Sequence, residues 1–115
     1  MMILRVEKNE SEEKDMESKP IYEYIGQPAL LEQLGEEACE LGQASLKMAR
    51  YIRSENPTPK TAFDVTRDLV EEVSDVLVCI EELKAADLIN DEVINTMKEI
   101  KRTRWYGRLG GNKNV

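Results

Sequence analysis

The chain has 115 residues and a formal net charge of −7, a length that holds one domain with a modest core and an acidity that disfavours non-specific binding to nucleic acid or to an anionic membrane surface. No apolar run reaches the roughly 18–20 residues that span a bilayer, and the opening Met1-Met2-Ile3-Leu4-Arg5-Val6 is too short for a signal-peptide core. Cys39 and Cys79 lack metal-type spacing in a chain without histidine, so they are expected to be reduced thiols in a cytoplasmic protein.

Residues 1–20 are dense in charge, poor in apolar side chains and end at Pro20, which predicts a flexible lead-in. Ile21-Tyr22-Glu23-Tyr24-Ile25 then offers a short packed segment before Gly26-Gln27-Pro28. Pro28 suits the first turn of a helix, where its missing N–H is not needed. Beyond it Leu30, Leu34, Ala38, Leu41, Ser45, Met48, Ala49 and Ile52 recur at spacings of three and four, the pattern of an amphipathic helix. That first helix is expected to end near Ser54, because Asn56-Pro57-Thr58-Pro59 cannot continue it. Glu37 falls inside the apolar stripe, between Leu34 and Leu41, and Glu40 falls on its border, whereas Glu36 faces solvent. A carboxylate on a core-facing stripe is costly unless something pairs with it.

A second helix is predicted from about Thr61 to Ala86, with Leu69, Val70, Val73, Val76, Leu77, Ile80 and Leu83 as its stripe. Val76-Leu77-Val78-Cys79-Ile80 is apolar right round the helix, which points to a subunit interface in a chain too small to surround a helix by itself. Asn90 or Asp91 can cap a third helix that carries Val93, Ile94, Met97 and Ile100 to about Trp105, where Gly107, Gly110 and Gly111 stop it and residues 112–115 fray. Its end is basic, with Lys98, Lys101, Arg102, Arg104 and Arg108 against the single acid Glu99. The expected fold is all-α: one domain over residues 21–110, with three main helices and a short N-terminal segment, completed by oligomerisation to a dimer or tetramer.

The second helix also supplies Glu71-Glu72-Val73-Ser74-Asp75, in which Glu72 and Asp75 flank the apolar stripe. The short Pro-rich connection favours antiparallel packing, and then the pair Glu37/Glu40 and the pair Glu72/Asp75 converge. Carboxylates crowded in a half-buried space either take up protons or bind cations. Oxygen ligands alone favour a hard ion, Mg²⁺ or Mn²⁺.

Glu36-Glu37-x-x-Glu40 followed by Glu72-x-x-Asp75 resembles the acidic signature of the MazG-like, all-α nucleoside triphosphate pyrophosphohydrolases. Gln33-Leu34-x-Glu36-Glu37, Glu40-Leu41 and Glu71-Glu72-x-x-Asp75-Val76-Leu77 are similar in the same way, and the resemblance spans residues 30–108. It implies Mg²⁺ held by Glu37, Glu40, Glu72 and Asp75, and hydrolysis of a (deoxy)nucleoside triphosphate between the α and β phosphates to monophosphate and pyrophosphate. The 31 residues between Glu40 and Glu72 are a little more than the family usually has, which leaves base and sugar open. Glu36 or one of the four metal-binding carboxylates would take the proton of the attacking water. Lys47, Lys98, Lys101, Arg102 and Arg104 would offset phosphate charge, and Gln33 and Tyr51 would touch the base. Trp105 is expected to anchor helices or subunits. Two other readings stay open: a pyrophosphohydrolase acting on phosphoribosyl-ATP or another non-canonical nucleotide, and a helical interaction module with no enzyme activity.

Overall fold

A computed structural model describes residues 19–55 and 60–110. The expected lead-in over residues 1–18, the Pro-rich connection over 56–59 and the tail over 111–115 lie outside the described residues. Four helices follow one another, α1 (Ile21–Ile25), α2 (Gln27–Arg53), α3 (Ala62–Ala85) and α4 (Asp91–Leu109), with no strand among the described residues. The chain is all-α, with three main helices and a short N-terminal segment.

Each boundary has a local cause. Gly26 joins α1 to α2 at φ 86° and ψ 159°, a backbone conformation open in practice to glycine alone. Its N–H donates to the Tyr22 carbonyl at 2.8 Å, and its carbonyl accepts from the Leu30 amide at 3.2 Å, so one residue closes α1 and opens α2. At the far end of α2, Ser54 takes the left-handed conformation and the Glu55 amide donates to the Arg50 carbonyl at 3.0 Å. A capping box starts α3: the Asp64 amide donates to Thr61 Oγ1 at 3.2 Å, and the Thr61 amide donates to Asp64 Oδ2 at 3.1 Å. Asn90 opens α4 by accepting from the Val93 amide at 2.9 Å. This last helix overruns its expected end near Trp105 and passes through Gly107 to Leu109. One interior glycine costs a helix only about 1 kcal/mol relative to alanine, too little to break it.

α2 and α3 pack against each other along their length as an antiparallel hairpin, with Glu37 beside Asp75 and Glu40 beside Glu72. Leu30 and Ala44 from α2, and Val65, Cys79 and Leu83 from α3, are the buried apolar residues of the seam. α1 lies across one end of the hairpin, tied to α3 where the Tyr22 amide donates to Glu82 Oε1 at 3.0 Å. α4 packs along neither α2 nor α3. Its start is fastened to the hairpin by the Lys84–Asp91 ion pair, Nζ to Oδ1 at 2.7 Å.

This leaves much apolar surface uncovered. Val70, Val73 and Leu77 line an exposed ridge of α3, at 43, 37 and 51 % accessibility. Within the stretch expected to be buried all round, Cys79 is buried, Val76 and Ile80 are half-buried, and Leu77 and Val78 remain exposed. Trp105 anchors no helix of its own chain and is 62 % exposed. No helix among the described residues is long and apolar enough to cross a membrane.

Candidate metal site

One turn of α2 separates Glu37 from Glu40, and one turn of α3 separates Glu72 from Asp75. Antiparallel packing sets the two pairs face to face, and one carboxylate oxygen from each of the four residues lies within 4.8 Å of the others. Glu37 and Glu72 form a half-buried inner pair, and Glu40 and Asp75 an exposed outer pair.

The inner pair is out of balance. Oε2 of Glu37 and Oε2 of Glu72 are both buried without a hydrogen-bond partner. A polar atom in that position costs about 1–3 kcal/mol, and a charged one more. The other oxygen of Glu37 accepts from Gln33 Nε2 at 2.7 Å. That hydrogen bond pulls the Glu37 pKa down, but burial and the adjacent Asp75 and Glu40 outweigh it, so the pKa ends above the ordinary value. Burial, followed by the carboxyl contact with Glu40 and the charges of Glu40, Asp75 and Glu37, raises Glu72 as well. Two carboxyl groups in hydrogen-bonding contact need a proton between them, or a cation in its place. The donor set is all oxygen, anionic and convergent, and it fits a hard divalent ion such as Mg²⁺ or Mn²⁺.

Beside the carboxylates is a hollow of about 230 Å³, walled by Ile21 and Ile25 of α1, Leu30 of α2 and Val78 of α3. Gln33 and Glu82 supply its polar rim, and Glu37 and Asp75 its border with the cluster. Sequence reasoning identified α1 as a packed segment but missed it as a wall of this hollow. The spacing of Ile21 and Ile25, four residues apart and so on one helical face, was the signal available. Cys79 lies beneath the same hollow, and burial, aided by Glu37 and Asp75, pushes its thiol pKa up. Burial and the raised pKa both disfavour the reactive thiolate there.

The remaining expected site residues are more dispersed. Glu36 is exposed and outside the cluster, while Gln33 touches Glu37. Lys47 and Tyr51 are exposed on α2, seven and eleven residues beyond Glu40 and on the same side of the helix. Lys98, Lys101, Arg102 and Arg104 are on α4, which does not pack on the hairpin that carries the carboxylates.

Compared with known proteins, the chain matches no family model, no curated protein and no solved structure. The chemistry of the site rests on its own residues.

Proposed function

We propose that this chain is a Mg²⁺-dependent nucleotide pyrophosphohydrolase of the MazG-like kind, with Mn²⁺ as an alternative ion, converting nucleoside triphosphates to monophosphate and pyrophosphate. The observation that carries the reading is the meeting of Glu37, Glu40, Glu72 and Asp75 within 4.8 Å, with two buried oxygens left without partners. A divalent ion bound there would neutralise phosphate oxygens and make water a better nucleophile. Glu37 and Glu72, the half-buried pair, and Glu40 and Asp75, the exposed pair, would hold that ion, and the exposed pair leaves a triphosphate access to it. Water attacks the α-phosphorus, the bond from that phosphorus to the bridging oxygen breaks, and pyrophosphate leaves with the electron pair. Glu36 or one of the four carboxylates accepts the proton of the water. The hollow walled by Ile21, Ile25, Leu30 and Val78 takes the apolar face of the base or sugar, within reach of the Gln33 amide.

Assembly belongs to the same reading. The uncovered ridge of Val70, Val73 and Leu77 on α3 shares one side of the hairpin with Gly35, Ala38 and Gly42 on α2. Such a face, small residues beside large, suits a second hairpin and gives a dimer or tetramer. The free thiols Cys39 and Cys79 suit a cytoplasmic protein. The same uncovered ridge also favours the reading as a helical interaction module, which has no reason to bind Mg²⁺ or nucleotide. Incubation with a panel of NTPs and dNTPs plus Mg²⁺ tests the proposal. Pyrophosphate and monophosphate are expected, and release of orthophosphate with a diphosphate, or no cleavage of any nucleotide, sinks it.

A further inference from the structure

Glu82 lines the hollow beside the carboxylates but is not one of the four that converge. Asp75, Val78, Cys79 and Glu82 recur at spacings of three and four, so they share one face of α3. The same spacing aligns Leu30, Gln33 and Glu37 on α2, and the two faces bound the hollow between them. Glu82 therefore stands two turns of α3 beyond Asp75, a rise of about 10 Å. That is comparable with the span of a nucleoside from its 5′ oxygen to the far edge of its base. A nucleotide with its phosphates at the cluster brings a base edge to Glu82, and a carboxylate would repel a phosphate in that place.

The hydrogen bonds of the rim decide what such an edge meets. Glu82 is half-buried, and its Oε1 accepts from the Tyr22 amide at 3.0 Å, an N–H at the start of α1 that has no partner inside its own helix. That bond fixes the carboxylate, and among the described residues nothing donates to its second oxygen. Gln33 is fixed by a similar necessity. A carboxylate oxygen accepts, so the Gln33 amide must turn its NH₂ to Glu37 at 2.7 Å, and its carbonyl oxygen is left to accept. No cation is among the described residues that line the hollow. The rim is thus rich in acceptors over walls that are apolar. We propose that Glu82 is a specificity-determining residue that selects bases bearing an exocyclic amine on the edge far from the sugar. An amine there donates to the second oxygen of Glu82. A carbonyl in its place sets oxygen against oxygen and leaves the half-buried carboxylate without a donor. This rests on the reading that a nucleotide occupies the hollow, and it adds which bases the site favours.

Matched substrate pairs isolate the amine, because CTP and UTP, like ATP and ITP, have the same ring skeleton and differ in an amine against a carbonyl. With the full-length wild type and Mg²⁺, kcat/KM should favour CTP over UTP and ATP over ITP by about 10–100-fold, the effect of one charge-assisted hydrogen bond. Glu82→Gln keeps an acceptor for the Tyr22 amide and turns an NH₂ towards the base, so the preference should fall to parity or reverse. If Glu82 serves only to hold α1, Glu82→Gln retains the wild-type ratios. Retained ratios, or a wild type that cleaves both members of each pair equally well, overturn the proposal and leave the pyrophosphohydrolase reading in place. Titration calorimetry with CMP and UMP reads recognition without cleavage. CMP should bind the wild type about tenfold or more tightly than UMP, and Glu82→Gln should abolish that difference. Equal affinities for the wild type overturn the proposal. A wild type that cleaves no triphosphate but binds CMP over UMP, with the difference lost in Glu82→Gln, would retain the base selection and remove the enzyme reading.

Discussion

A carboxylate oxygen kept from water without a partner, as Oε2 of Glu72 is, destabilises the fold, and a cation bound there would relieve that cost. Glu72→Gln keeps the shape and removes a charge, so its metal-free form should melt at or above the wild type. Magnesium should stabilise the wild type by about 2.7 kcal/mol at one hundred times the dissociation constant, several degrees for a domain of this size. The variant should lose most of that rise, and calorimetric scans with and without Mg²⁺ decide the matter: equal responses in the two proteins mean that the four residues hold no metal. The pH dependence follows from the same crowding. Glu37 and Glu72 titrate above 4.5 in the fold, so the folded state holds their protons more tightly than the unfolded chain does. Their effect favours the fold at low pH and is lost as pH rises through the folded pKa. Asp64, held down by the Thr61 hydrogen bonds, and Asp68, held down by Lys60, act in the opposite sense and lose their contribution only as pH falls below 3.8. The metal-free wild type should therefore gain melting temperature from neutral pH to about pH 5, and Glu72→Gln should gain less. The placement of Glu37 was legible in the sequence because helical periodicity puts it inside the apolar stripe. The orphaned oxygens were not, because they depend on how close two helices approach, and periodicity does not contain that distance.

At the scale of the helix, local signals were reliable where a side chain bonds its own backbone. Thr61, Asn90 and Pro28 sit where their chemistry places them, and the helix starts followed. The end of α4 was misplaced because a glycine inside a helix is only a weak penalty, and nothing in the residues around Gly107 reveals that the turn continues. Gly26 carries the strongest backbone constraint in the described chain. Gly26→Ala should cost about 1–3 kcal/mol by the strain of its conformation, measured by urea denaturation. Because Gly26 also sets the angle of α1, the same change should raise KM for the nucleotide as Ile21 and Ile25 leave the hollow. A loss of stability with unchanged KM would show that α1 is no wall of the site. Thr61→Ala should cost about 1 kcal/mol in global stability through the lost capping box of α3.

At the scale of the whole molecule, five buried apolar residues among those described hold a hairpin whose two sides differ in kind: one acidic, the other apolar and small-residued. From the all-round apolar stretch 76–80 the sequence reading expects a subunit interface on α3, with Val78 among its residues. The structure puts Val78 beside the carboxylates and Leu77 on the ridge, a distinction of one residue that only the position of α1 reveals. Leu77→Glu should weaken self-association, since it drives a charge into an apolar contact, while leaving magnesium binding by the hairpin intact. Sedimentation velocity at micromolar concentration checks it. A wild type that is already monomeric there removes the ridge from consideration as an interface.

The isolation of α4 has a consequence for folding itself. A helix of 19 residues whose ion pair to the hairpin, among the described residues, is Lys84–Asp91 alone has little beyond its own propensity to keep it wound, because most helical stability in proteins comes from packing. If a second copy of the chain covers α4, dilution should remove that cover and α4 should unravel while the hairpin stays intact. Far-ultraviolet circular dichroism should fall with concentration by the share that one helix contributes, and the amides of α4 should exchange with deuterium at rates that rise as the protein is diluted. With α4 covered in that way, the amount of secondary structure becomes a function of how many copies are present.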